Sequence, residues 1–384
     1  MPVPYGRLAT FYFCYFATLG AFLPFWSLYL QAVGFAAEQI GELTAAMIAT
    51  KIVAPYLWGW LADKTGRSLG LIRITTLFSA LVFVGFELRH DYVWVMAVTL
   101  GFSFFWNATL PLFEAATLLH LRERPQHYSR VRLWGSIGFI AAVLGIGHLL
   151  DTVAIERLPW LIGGLLLANT LVAWVTPDAR RGIAYHDGES QQLSAPLGEL
   201  LAFFTVYMLL QVAHGPYYTF YSVYLQYYGY PASLTGLLWS LGVVAEIGVF
   251  IAMSGLLKRV SLRPLLLLSL LLSSVRWWLI GHGTEHLPVL VFAQLLHAAS
   301  FGITHVVAMQ LLHRYFGEHH LGKGQALYSS LSFGVGGVLG SYFSGYWWDA
   351  LGGNLVFVAA SLVCGLALIV AFVGVARQKP AALG

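Results

Sequence analysis

Charge is scarce in this sequence: Asp, Glu, Lys and Arg make up 10% of its 384 residues while apolar residues make up 58%. A soluble domain carries about a quarter charged residues, so a water-soluble globule is excluded, in keeping with a mean hydropathy of +0.73. Cysteine is nearly absent. Cys14 and Cys364 both lie in apolar runs, which excludes a disulfide framework. No Cys, His and carboxylate cluster has metal-ligand spacing, since His319–His320 stands alone, so neither metal nor cofactor is expected. No nucleophile, base and orienter fall together as an enzyme would need. The net charge of +4 comes from basic residues scattered between apolar stretches, without the contiguous patch that nucleic-acid binding requires. The run from Leu8 to Leu30 is too long for the core of a cleaved leader and lacks a small-residue cleavage site after it.

Long apolar runs are what the chain has in abundance. A hydrocarbon core about 30 Å thick needs roughly 20 apolar residues per helix. The runs at 8–30, 40–60, 69–87, 92–119, 130–150, 158–175, 197–227, 234–257, 264–281, 287–313, 325–347 and 352–375 each qualify. They predict an all-α membrane protein of twelve spans: a six-helix bundle over 1–176, a polar linker over 177–196 and a second bundle over 197–384. Arg7, Lys64, Arg67, Arg122, Arg124, Arg130, Arg180, Arg181, Lys258, Arg259, Arg263, Arg314, Lys323, Arg377 and Lys379 fall at the termini, in even-numbered loops or at their helix ends, and only Arg89 and Arg157 on the other side. Basic residues accumulate on the cytoplasmic face, so both termini are expected there.

Shifting the sequence by 195 residues lays the first run on the seventh. Gly20, Phe25, Ser27, Tyr29, Leu30, Gln31 and Gly34 fall on Gly215, Phe220, Ser222, Tyr224, Leu225, Gln226 and Gly229. Repeated six-span halves imply pseudo-two-fold symmetry about an axis along the membrane normal, with a binding site between them. The same shift puts Lys51 on Glu246, two opposite charges at equal depth that would face each other across a central cavity. A charge at mid-bilayer costs on the order of 2.5 to 3.5 kcal/mol and usually serves a water-filled pathway or a partner. A purely structural ion pair is the competing reading.

Gly59, Trp60, Leu61, Ala62, Asp63, Lys64, Thr65, Gly66 and Arg67 match the G-x-L-A-D-[KR]-x-G-R signature of the major facilitator superfamily. Gly59, Asp63, Gly66 and Arg67 would form a cytoplasmic gate. The counterpart from Gly255 to Arg263 has Lys258 in place of the carboxylate, so the latch would depend on Asp63. More narrowly, the chain resembles the branch that holds lactose permease, nucleoside proton symporters and the phenylpropionate permeases. Gly20 to Phe25, Phe113–Glu114–Ala115 and Arg130 to Phe139 carry that likeness. The resemblance implies a bacterial inner-membrane symporter, with Glu114 and Arg132 on the substrate and Glu246, Arg276 and His297 serving substrate and proton. It also marks departures: Ser300 stands where the sugar permease has a protonatable glutamate, and Tyr218 and Tyr221 lie near its missing seventh-helix acids.

Lost acids and the added cation Lys51 favour an anionic substrate. The expectation is a monomeric, proton-coupled importer of a small organic anion, an aromatic monocarboxylate such as phenylpropionate, working by alternating access in the lipid bilayer. Lys51 and Arg132 would meet the carboxylate, Glu246 with His297, Arg276 and Glu114 would handle the proton, and Tyr218, Tyr221 and Trp26 would supply aromatic faces. Symport of a neutral sugar or nucleoside, and efflux of amphipathic compounds, remain open. Arg132 could instead snorkel to headgroups, and His214, His305 and the glycines Gly334, Gly336, Gly337 and Gly340 could serve helix packing alone. Asn107–Ala108–Thr109 is a glycosylation sequon inside a span.

Overall fold

The structure is a computed structural model in which residues 3–121, 127–178 and 195–376 are described. Most of the expected linker, the basic residues Arg122, Arg124, Arg180, Arg181, Arg377 and Lys379, and the His319 side chain lie outside those residues. The rest is almost wholly helical. In order come α1 (Tyr5–Ala32), α2 (Ala37–Thr65), α3 (Ser68–Phe83), α4 (Tyr92–His120), α5 (Tyr128–Leu149), α6 (Leu158–Val175), α7 (Leu197–Tyr227), α8 (Ala232–Leu256), α9 (Leu262–Gly283), α10 (Leu287–Leu295), α11 (Thr304–Tyr328) and α12 (Gly337–Gly374). Two π-helical stretches, Ala298–Ile303 and Ser329–Gly336, join α10 to α11 and α11 to α12.

Membrane spans do not coincide with these helices one for one. Among the described residues eleven segments are long and apolar enough to cross a bilayer, the tenth being Leu287–Gly317 and the last His320–Gly374. That last stretch has 55 residues, about 80 Å of helix at 1.5 Å per residue, far more than one crossing needs. It breaks at Gly352, whose φ of 80° no helix contains, and so supplies two spans, which makes twelve.

The chain groups into two compact units, one of Met1–Tyr185 with Tyr230–Leu237, the other of His186–Gly229 with Leu238–Gly384. In the first, α1 is apolar on every side and buried along most of its length, as a helix enclosed by others must be. It crosses α5 at near-contact of the backbones. A Cβ on Gly20 would lie 2.6 Å from the Phe139 carbonyl oxygen, and one on Gly138 2.3 Å from that of Phe13. The second unit repeats the device: a Cβ on Gly215 of α7 would stand 2.2 Å from the carbonyl carbon of Gly340, and one on Gly336 2.6 Å from the Met208 oxygen. Gly20 and Gly215, paired by the 195-residue shift, thus do the same work. So do Gly34 and Gly229, which end the first helix of each unit at φ 97° and 78°, where a side chain is strained.

Polar ends are tied down in a repeated way too. Arg73 of α3 donates to the last-turn carbonyls of α6 at Ala173 (3.4 Å), Trp174 (3.2 Å) and Thr176 (3.0 Å). In the second unit Arg263 of α9 donates to the carbonyl of Phe372, near the end of α12. Carbonyls at a helix C-terminus lack partners within the helix, and a cation there also meets the negative end of the dipole.

Candidate functional site

Among the described residues, each unit gathers charged side chains within its membrane helices. In the first, Phe113 stacks on Phe11 with ring centroids 3.5 Å apart, which fixes this turn of α4 and the direction of Glu114. Arg132 of α5 points back to it, Nε lying 3.8 Å from Glu114 Oε1, and the two side chains are 33% and 35% exposed. Tyr128 donates its hydroxyl to the same carboxylate oxygen at 3.3 Å. The guanidinium sits 3.9 Å over the Phe16 ring, a contact that holds a planar cation with its edge free. Gly135 leaves the room: a Cβ there would be 2.7 Å from Phe16 and 2.8 Å from Arg132 Nη1. Arg132 is therefore turned onto a carboxylate and a ring within its own unit rather than extended alone.

Lys51, on α2, has an exposed side chain with no hydrogen bond or ion pair among the described residues. Its neighbour Thr50 accepts from the Asn107 amide at 2.8 Å, and that amide also donates to the Met47 carbonyl at 3.0 Å. Asn107 thus braces α2 against α4. Trp26 is 6% exposed; its ring is engaged by Phe22, Tyr29 and Phe86 at 4.7, 4.9 and 4.7 Å, an aromatic packing cluster. At the end of α2, Gly66 has φ 74° and caps the helix by donating to the Ala62 carbonyl, so this motif glycine is demanded by backbone geometry. Gly59 lies one side of the turn, and Asp63 and Arg67 are exposed on it.

The second unit keeps its charges inside. His297, where α10 gives way to the π-helical stretch, places Nε2 3.7 Å from Glu246 Oε2 of α8, with side chains 9% and 17% exposed. α8 comes this close because it carries a glycine here: a Cβ on Gly242 would lie 3.3 Å from His297 Cδ2 and 3.4 Å from Gln294 Oε1. In the π-helical stretch of span ten, a Cβ on Gly302 would lie 3.4 Å from Glu246 Cγ. Arg276 of α9 is 0% exposed and lies between the rings of Tyr217 and Trp277 at 4.4 and 4.3 Å. Tyr217 donates to Gln294 Oε1 at 3.1 Å. Tyr221 is fully buried against Tyr217, 4.9 Å between centroids, and the half-buried Tyr218 lies beside His214 at 5.7 Å.

The structure brings Glu246, His297 and Arg276 into one cluster with Tyr218 and Tyr221 at its edge, and Glu114 with Arg132 into another. Of the remaining histidines, His214 shares its Nδ1 with the Leu210 carbonyl of its own helix at 2.7 Å, and His305 stacks on Phe301 at 6.1 Å. Sequence reasoning missed Gln294, and it placed Tyr217 only among the aromatic residues near the expected cavity, without a polar partner. Gln294 could have been found as the polar residue one turn before His297 in an otherwise apolar run.

Comparison with known proteins places this geometry. The MFS_1 like family model matches residues 5–359. A probable 3-phenylpropionic acid transporter of Escherichia coli (strain K12) is 33% identical over 357 residues, covering 92% of this chain and 93% of that one. A maltose permease of Geobacillus stearothermophilus is 26% identical over 371 residues, 94% of this chain and 92% of the permease. Among solved structures, the nucleoside transporter NupG superposes with a TM-score of 0.81 at 17% identity, over 96% of this chain and 97% of that one, a likeness of fold. These relatives are transporters rather than enzymes, and with a family match over most of its length the chain belongs to the MFS_1 like family, a multi-pass membrane transporter of the major facilitator fold.

Proposed function

We propose that this transporter imports a small organic monocarboxylate together with a proton, by alternating access of the halves 1–176 and 197–384. The observation that carries the reading is Lys51, an ammonium in the middle of a membrane helix with no partner among the described residues. Such a charge is costly in a bilayer, and an anionic substrate would offset that cost. Arg132, resting on Phe16, paired with Glu114 and about one-third exposed, is the second group suited to a carboxylate. Glu246 with His297 is the proton-carrying pair, since a carboxyl shielded from water and next to an imidazole can exchange one charge state for another at small cost. Glu114 and Arg276 tune these groups, Tyr218 and Tyr221 offer ring faces, and Gly59, Asp63, Gly66 and Arg67 serve the cytoplasmic gate. The relative named for 3-phenylpropionic acid supports an aromatic carboxylate. The protein works as a monomer in a bacterial inner membrane with both termini in the cytoplasm.

Uptake of labelled 3-phenylpropionate into vesicles under an imposed pH gradient tests this. The Lys51→Ala variant should raise KM for the carboxylate about tenfold, the loss of roughly one charge-assisted contact; unchanged KM would defeat the assignment. The maltose permease relative and the Glu114–Arg132 pair favour one second reading, symport of a neutral sugar or nucleoside. In that case maltose or a nucleoside is taken up, and uptake tolerates Lys51→Ala.

A further inference from the structure

Among the described residues Arg276 is the fully buried Lys or Arg. Its three hydrogen bonds all go to neutral oxygens, and all three oxygens lie on one short stretch of span ten. Nε donates to the Ala293 carbonyl at 3.1 Å, Nη2 to Gln294 Oε1 at 3.3 Å and Nη1 to Ser300 Oγ at 2.9 Å. The rings of Tyr217 and Trp277 close over the guanidinium, and Tyr217 holds Gln294 from the other side. An arginine buried this deeply and bonded only to neutral acceptors contributes little to stability compared with an apolar residue of like volume. Its directional fork, however, fixes geometry.

The bridged stretch is where span ten changes its winding. α10 ends at Leu295 and the π-helical segment Ala298–Ile303 follows. A π turn holds one residue more than an α turn, is rare, and occurs mostly as a single-turn bulge at functional sites. Arg276 grips both sides of that change, Ala293 and Gln294 before it and Ser300 within it. His297 sits between the grips. Rewinding the segment as α-helix would turn the residues after the change by about 100° relative to those before it, the angle of one residue, and either His297 or Ser300 would leave its present partner.

We propose that Arg276 is a positioning residue: with Gln294 and Ser300 as acceptors it clips span ten in its π-helical winding and so keeps His297 against Glu246. The proposal rests on the reading of Glu246 and His297 as the proton-carrying pair. Arg276 touches neither substrate nor proton; it acts through the helix it grips.

The test uses the full chain reconstituted in vesicles, with 3-phenylpropionate exchange at equal pH and accumulation under an imposed pH gradient as paired readouts. Arg276→Lys, which keeps the charge and loses the fork, should cut accumulation about tenfold, the worth of a charge-assisted bond, and leave exchange within about twofold. The double variant Gln294→Leu with Ser300→Ala, which leaves Arg276 in place, should do the same and covers the case in which the arginine variant fails to fold. Gln294→Glu keeps an acceptor for both Arg276 and Tyr217, and added to Ser300→Ala it should restore accumulation. Full accumulation in the double variant, or a structure of it with Ala298–Ile303 still π-helical, overturns the proposal. Glu246→Gln separates the two claims: if that variant still accumulates substrate against the gradient, the proton reading is the one that fails; if it does not, while the double variant does, only the clip fails.

Discussion

In the first unit the charged cluster of Glu114 and Arg132 is about one-third exposed, whereas in the second Arg276 has no exposure and the Glu246–His297 pair little. Winding differs in the same direction. Among the described residues the first unit has no π-helical stretch, while the second has two, one of them carrying the buried cluster. Yet the glycine contacts that pack the first helix of each unit are alike. A duplicated scaffold has thus kept its close-packing positions and let the polar positions diverge. Packing is conserved between the units because a Cβ at those sites would meet backbone, which cannot move aside. Polar sites answer to no such constraint, and their environments suit different tasks: an open cation for a ligand, an enclosed carboxyl for a proton.

That contrast can be broken. The largest expected effect is at Glu246, where Glu246→Gln should lower gradient-driven accumulation about a hundredfold, the scale of losing a positioned acid–base group, while exchange at equal pH persists. Glu114→Gln in the open cluster should not reproduce that split; if it does, the division of labour is wrong. Next come Gly138→Ala and Gly215→Ala, each expected to destabilise its unit by about 1–3 kcal/mol through backbone overlap, read as a lowered unfolding temperature in detergent. A large effect at one and none at the other would show that the shared packing device is not shared. Arg132→Lys should raise KM for the carboxylate several-fold, since lysine lacks the flat fork that rests on Phe16, with accumulation at saturating substrate nearly unchanged. The smallest effect belongs to the helix-end arginines: Arg73→Ala and Arg263→Ala should each cost about 0.3–1 kcal/mol, similar in the two units if their capping roles match.

The span pattern was legible because a bilayer demands apolar length and little else, so composition alone marks it. The runs at 325–347 and 352–375 were separate in the sequence, while the structure joins them in one continuous stretch, His320–Gly374, that breaks at Gly352. The repeat was legible for a different reason: Gly20 with Gly215 and Gly34 with Gly229 are held by close approach and by positive φ, which admit almost no substitute. The clusters were legible in part. Charged residues inside apolar runs stand out, and the 195-residue shift singled out Glu246 with Lys51, whereas Glu114, Arg132, Arg276 and His297 became candidates through the likeness to the lactose permease branch. Their neutral partners were not legible as partners: Ser300 stood out only as a departure from the sugar permease, and Gln294 and Tyr217 matter only through what they touch.

Sequence by itself determined that this chain spans a membrane as paired sets of helices and which residues carry charge within it, since burying backbone in lipid leaves helix as the solution for long apolar runs. Only the tertiary structure decided how those charges are spent. It set Arg276 on three neutral oxygens of a π-wound helix, His297 on Glu246, Arg132 on Phe16 and Glu114, and Trp26 in an aromatic cluster. Such pairings depend on rotations of one helix against another by fractions of a turn, and hydrophobic periodicity carries no information at that precision.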